Sequence, residues 1–213
     1  SGSEERPCAE AIISRLGEKA FRRPLSDADR TGLMGFYDEA AANGGFELGV
    51  RTALEAMIAS PRFVFRFEES PEGISAGETY SVDAFALASR LSYFLWAAPP
   101  DDELRQAAAS GSLSDDRVLE AQVRRMLADP KSEALGPRFA GQWLRLQDLE
   151  RVHPDVRLQP DFHQQLSEAM RRETELFFIN LVKEDRSMFD LYDADYTFVN
   201  ERLARHYGIP GVS

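Results

Sequence analysis

The stretch Asp161-Phe-His-Gln-Gln-Leu-Ser-Glu-Ala-Met-Arg-Arg-Glu-Thr-Glu-Leu-Phe-Phe-Ile-Asn-Leu-Val-Lys-Glu184 reads as one long amphipathic helix. Phe162, Leu166, Ala169, Met170, Leu176, Phe177 and Leu181 recur at the three-and-four spacing that gathers side chains on one face, and such a stripe must be buried. At about 100° per residue, Glu173 and Asn180 fall near the middle of the same stripe. A lone buried carboxylate is costly, so Glu173 is expected to meet an arginine, to collect backbone hydrogen bonds or to hold a proton. Arg90 and Arg202 are the candidate ion-pair partners, and Glu173 is the residue whose placement conflicts with simple core building.

The same kind of pattern extends in both directions. After a loop from Asp185 to Tyr196, with one helical turn expected at Met188 to Leu191, Thr197 is expected to cap a last helix. That helix runs from Phe198 to Tyr207 and closes on Gly208 and Pro210, with Leu203 docked back toward Leu176 or Phe177. Upstream, Leu135, Phe139, Gln142, Trp143 and Leu146 mark one helix, and Val118, Val123, Met126 and Leu127 mark another opened by Ser114. Asp101 and Asp102 open a short helix ending at Gly111, and Ser81 is expected to cap a helix from Val82 to about Trp96. Both tryptophans, Trp96 and Trp143, read as core residues.

The N-terminal part gives three helices. Ala9, Ile12, Ile13, Leu16 and Ala20 mark the first, which Pro24 closes. Ser26 caps the second, which Gly44-Gly45 ends, and Phe46 to Ile58 form the third, stopping at Ser60-Pro61. Phe63, Phe65 and Phe67 alternate in a short extended segment expected to plug the core. The predicted fold is all-α, a multi-helix bundle with a small three-helix unit in residues 1–69, a linker at 70–79 and a larger helical unit in residues 80–213.

A formal charge of −11 disfavours nucleic acid, whose binding rests on Lys and Arg neutralising phosphates, and leaves cationic partners tolerated. No apolar run approaches the roughly 20 residues needed to cross a bilayer. Cys8, the single cysteine, is expected to be a small buried apolar residue or to bond to a cysteine elsewhere. Ser1-Gly2-Ser3 reads as an expression scar and the chain stops in an expected loop, so the expectation is the middle of a longer protein.

His153, His163 and His206 share no i, i+3 or i, i+4 spacing, so no local metal signature arises. His206 is the candidate cofactor contact because it sits at a helix C-terminus beside Tyr207, where capping is the simpler role. Glu173 is the candidate acid or base, with Asp101, Asp102 or Asp195 as a possible second carboxylate. No Gly-rich phosphate loop, nucleophile elbow or Cys-x-x-Cys-His haem attachment occurs.

Six motifs in order carry a resemblance. They are Ala20-Phe-Arg-Arg-Pro-Leu25, Ala59-Ser-Pro-Arg-Phe-Val-Phe-Arg66, Ala88-Ser-Arg-Leu-Ser-Tyr-Phe-Leu-Trp96 with Pro100-Asp-Asp-Glu-Leu104, Phe139-Ala-Gly-Gln-Trp-Leu144, Arg171-Arg-Glu-Thr-Glu-Leu-Phe177, and Ala194-Asp-Tyr-Thr-Phe-Val-Asn-Glu-Arg-Leu-Ala-Arg-His-Tyr-Gly208. Together they resemble two adjoining domains of unknown function found in large proteins of planctomycetes and related bacteria. In that family further modules follow, one of them a c-type haem segment. The resemblance implies an extracytoplasmic location, a redox setting with haem c in the full-length protein but not in this stretch, and partners among the C-terminal modules or a cytochrome domain.

Two functions follow as expectations. The leading one is a scaffold or interaction module that packs against a haem-bearing region. The rival is an enzyme on an extracellular substrate with a buried Glu173 as acid or base.

Overall fold

The computed structural model describes residues 2–68, 73–155 and 157–212. It is all-α, with no strand among the described residues. Of the expected linker, Ser70 to Glu72 lie outside the described residues, as do Ser1 of the expected scar, Glu69 at the expected domain end and Ser213. Two compact units divide the chain: Ser1–Ser92 with Pro99–Leu119, and Tyr93–Ala98 with Glu120–Ser213.

The first unit is built on α1 (Gly2–Phe21) and α2 (Asp27–Ala59). Ser26 caps α2 through a reciprocal pair in which its hydroxyl accepts from the Asp29 amide and the Asp29 carboxylate accepts from the Ser26 amide. The expected break at Gly44-Gly45 is present as a kink inside α2. Gly45 there takes φ 78°, a conformation that glycine adopts at little cost. The second limb therefore returns along the first, and Gly49 lies so close to Tyr37 that an added Cβ would sit 2.7 Å from its ring. Ala9, Ile13, Phe21, Leu25, Leu33, Met34, Tyr37, Ala53 and Met57 form the core between these limbs and α1.

After α2 comes a single helical turn, α3 (Pro61–Val64), capped by Ser60. The segment that follows overturns one expectation: Phe63, Phe65 and Phe67 do not plug the core but stand exposed, Phe67 by 63%. Arg22 donates to the Phe63 and Phe65 carbonyls while all three side chains stay exposed, which alternation alone could not decide. Cys8 is likewise exposed and free rather than buried.

Next come α4 (Ala84–Trp96), α5 (Asp102–Ala109) and α6 (Asp116–Ala128). The start of α4 corrects the expected cap: Asp83 rather than Ser81 accepts from the Phe85 and Ala86 amides, because its carboxylate sits at the correct offset. Asp101 caps α5 as expected, accepting from the Leu104 amide. Asp115, not Ser114, opens α6 by accepting from the Arg117 amide.

In the second unit, Trp96 is buried and its indole N–H donates to the Met126 carbonyl at 2.8 Å. A 3-10 turn at Pro130–Ala134 leads into a π-turn at Gly136–Ala140 and then α7 (Gly141–Trp143). Pro137 has no N–H to give, and the Gly141 amide reaches back five residues to the Gly136 carbonyl. A further 3-10 turn, Leu146–Arg151, precedes α8 (Gln164–Lys183), the long helix of the opening stretch. Then α9 (Asp190–Asp193) and α10 (Glu201–Tyr207) close the chain. Asn200, not Thr197, caps α10, and Gly208 takes the expected left-handed C-cap at φ 72°. Leu203 docks on α8 as expected in kind but against its first half, beside Leu166 and Ala169.

Candidate functional site

Of the side chains singled out by the sequence, Glu173 lies on α8, whose buried face differs from the one expected. Its buried residues are Leu166, Ser167 and Ala169 in the first half and Glu175, Phe178, Ile179 and Leu181 in the second. A single stripe assumes one neighbour, whereas α8 packs α10 beside Leu166 and the Gly136–Ala140 turn beside Ile179. The buried face thus rotates along the helix. In consequence the buried carboxylate is Glu175 and not Glu173, which lies about 200° away round the helix and is only half-buried. Glu175 is neutralised from its own helix by Arg172 at 3.2 Å and Arg171 at 3.7 Å.

Glu173 has no arginine partner among the described residues. Arg90 pairs with Glu68, and Arg202 lies 2.6 Å from the His163 ring. Glu173 instead accepts a hydrogen bond from the Thr197 hydroxyl on one oxygen and from the Tyr207 hydroxyl, at 2.8 Å, on the other. Thr197, displaced from the cap of α10, acquires this role, and Tyr207 brings the last turn of α10 to the same carboxylate. Burial, then the hydrogen bond to Glu173 and its charge, pushes the Tyr207 hydroxyl up to about 12. It therefore remains a proton donor across the physiological range. With each carboxylate oxygen occupied by a neutral donor, the group acts chemically as a tie between α8, the 194–200 arm and α10.

That arm is further fixed by aromatic contacts. Phe177 and Tyr196 stack with ring centres 5.2 Å apart, Phe198 meets Tyr196 edge-on, and the Arg186 guanidinium lies 4.7 Å from the Tyr196 ring centre. Among the described residues, the Tyr196 hydroxyl and the Asn180 carbonyl oxygen are buried without a hydrogen-bond partner.

The other sequence candidates are dispersed. Asp101 is a helix cap, Asp102 pairs with Arg105 and Lys19, and Asp195 is exposed. His206 is exposed in the last turn of α10, its ring centre 5.5 Å from that of Tyr207. His163 caps α8 by accepting from the Leu166 amide, and His153 contacts the Arg151 carbonyl.

Sequence reasoning missed a second polar centre, in the first unit. Arg22 is 6% exposed and adopts φ 60° just past the end of α1. One terminal nitrogen donates to the Ala20 and Phe63 carbonyls, both at 3.2 Å. The other donates to those of Arg62 at 2.7 Å and Phe65 at 2.8 Å. Beside it, the nearly buried Asp29 carboxylate pairs with Arg62 at 3.3 Å and Arg23 at 3.6 Å. The only sequence signal was an arginine pair before Pro24, which reads equally well as solvated helix-end charge.

Residues 82–209 match the family described as PSD4, protein of unknown function (DUF1592). The chain belongs to the DUF1592 family. Residues 8–68 match a second family, PSD5, protein of unknown function (DUF1595). No curated protein and no solved structure matches the chain. The Glu173–Thr197–Tyr207 tie falls inside the DUF1592 segment and the Arg22 clasp inside the DUF1595 segment, so each matched segment contains its own polar centre.

Proposed function

We propose that this DUF1592 chain is a helical scaffold and interaction module of a larger extracytoplasmic bacterial protein, set beside a c-type haem module of the same polypeptide. The observation that carries the reading is the Phe63–Phe67 segment. Arg22 donates to the Phe63 and Phe65 carbonyls of this segment and to that of Arg62 just before it, and Phe63, Phe65 and Phe67 are exposed. Exposed apolar side chains on a fixed backbone are what a docking surface requires. The haem setting and the location are supported by the resemblance of the six motifs. Glu173 supports the same reading, since both its oxygens are engaged in joining elements.

The test is a longer natural chain expressed with haem maturation, compared with residues 1–213 by hydroxyl-radical footprinting. Protection of Phe63, Phe65 and Phe67 in the longer chain, together with a c-type haem spectrum, is expected. Equal labelling in both forms, or a full-length protein with no haem absorbance, overturns the proposal.

A further inference from the structure

Trp143, at 52% exposure, departs from its expected core place. The feature that joins apolar walls to unused hydrogen-bond donors lies in the first unit instead. There the end of α1, the first limb of α2 and the junction of α2 with α3 line an open cleft of about 310 Å³. Phe21 and Leu33, 7% and 6% exposed, are its buried lining, and Phe36, 49% exposed, is its exposed lining. Gly32 also lines the cleft, and an added Cβ there would meet no atom within 4 Å.

Three further lining residues are polar: Asp29, Ser60 and Arg62. The Asp29 side chain is only 8% exposed and its acceptor capacity is engaged. Oδ2 accepts from the Ser26 amide at 3.1 Å and from the Ser26 hydroxyl at 2.7 Å and lies 3.6 Å from Arg23, while Oδ1 lies 3.3 Å from Arg62 Nε. Two guanidiniums thus face one carboxylate, which leaves a positive balance at this end of the cleft. The donors are not used up. Arg62 commits Nε to Asp29, and its two terminal nitrogens, which the rigid guanidinium keeps beside that carboxylate, make no hydrogen bond among the described residues. The Ser60 hydroxyl oxygen accepts from the Arg62 amide at 3.3 Å, and its own proton has no acceptor among the described residues. Arg22 fixes the backbone that carries these donors by donating to the Arg62 carbonyl at 2.7 Å.

We infer that this cleft binds a small monocarboxylate carrying one aromatic ring, with the carboxylate received by Arg62 and Ser60 and the ring by Phe21, Leu33 and Phe36. Unused donors beside a surplus guanidinium select an anion, and the planar fork of arginine matches a carboxylate. A dianion such as phosphate is disfavoured by the neighbouring Asp29 charge, and a cation by the two arginines that already neutralise Asp29. The volume sits at the lower end of small-molecule sites, which span about 300–1,000 Å³, and admits one ring with a short chain. The inference does not depend on the scaffold reading.

The 213-residue chain, labelled with nitrogen-15, is titrated with 3-phenylpropionate while amide chemical shifts are followed. Saturable shifts below about 5 mM, centred on Gly32, Ser60 and Arg62, are expected. The neutral 3-phenylpropanamide, and propionate without the ring, should each bind about tenfold more weakly or worse, as should 3-phenylpropionate to Arg62→Gln. Gly32→Leu fills the cleft from an exposed helical position and raises helix propensity, so it should abolish binding with no fall in melting temperature. The inference is overturned by the absence of a saturable shift, by the amide binding as tightly as the acid, or by a titration unaltered in Gly32→Leu. It is equally overturned if N-acetyl-Gly-Gly-Phe binds about tenfold more tightly than 3-phenylpropionate, since the cleft would then serve a protein C-terminus.

Discussion

Replacing Arg22 by alanine removes a guanidinium that donates four hydrogen bonds to main-chain carbonyls, two of them at 2.7 and 2.8 Å. A hydrogen bond involving a charged group contributes about 1.5–3 kcal/mol net, but the contributions do not add, because carbonyls of an exposed segment recover water once released. Taking the two short bonds at the low end gives a loss of about 3 kcal/mol, or about 6–12 °C in melting temperature for a chain of this length. Arg22→Lys keeps the charge but not the planar fork and is expected to recover less than half of that. Arg22→Gly separates side chain from backbone: at φ 60° a residue with a Cβ is strained, so glycine should melt higher than alanine by about 1 kcal/mol equivalent. Thermal unfolding by circular dichroism measures all three variants. Limited chymotrypsin digestion adds a local readout, since cleavage after Phe63, Phe65 and Phe67 should accelerate in Arg22→Ala. A variant that melts within about 2 °C of the parent and is cut no faster would refute the clasp, because the loss would then be below about 1 kcal/mol.

Tyr207 should be among the last tyrosines to ionise. Its hydroxyl is raised from 10.0 to about 12, so whatever stability the tie contributes is whole below pH 10 and is lost as pH rises through about 12, where the folded form gives up the proton. Near-UV phenolate absorbance should show this latest step disappear in Tyr207→Phe. Glu173→Ala removes two hydrogen bonds at a half-exposed position and should cost about 1–2 kcal/mol, with hydrogen exchange accelerating across Glu201 to Tyr207. A cost of about 3–5 kcal/mol would instead indicate a buried ion pair. Gly136→Ala should destabilise by about 1–3 kcal/mol through the close approach to Ile179 Cδ1, and adding Ile179→Val, which deletes that methyl, should restore part of the melting temperature.

What the residues themselves determined is what acts over one turn of chain. Ser26 with Asp29, Asp101 and the glycines at 44–45 and 208 set helix starts, breaks and stops, because capping and left-handed backbone depend on neighbours three or four positions away. The three-and-four periodicity likewise determined the all-α class, whereas the place where Leu203 docks, beside Leu166 and Ala169 rather than Leu176 or Phe177, was not legible in it. Which carboxylate is buried could not be decided that way. Glu173 and Glu175 are separated by the direction from which α10 and the Gly136–Ala140 turn approach α8, and those neighbours come from distant parts of the chain. The same limit applies to Arg22, whose partners other than Ala20 lie about forty residues on, and to Phe63, Phe65 and Trp143, whose apolar character fits a core and an exposed surface equally well. Burial is a property of what packs against a side chain, and only the tertiary structure supplies that.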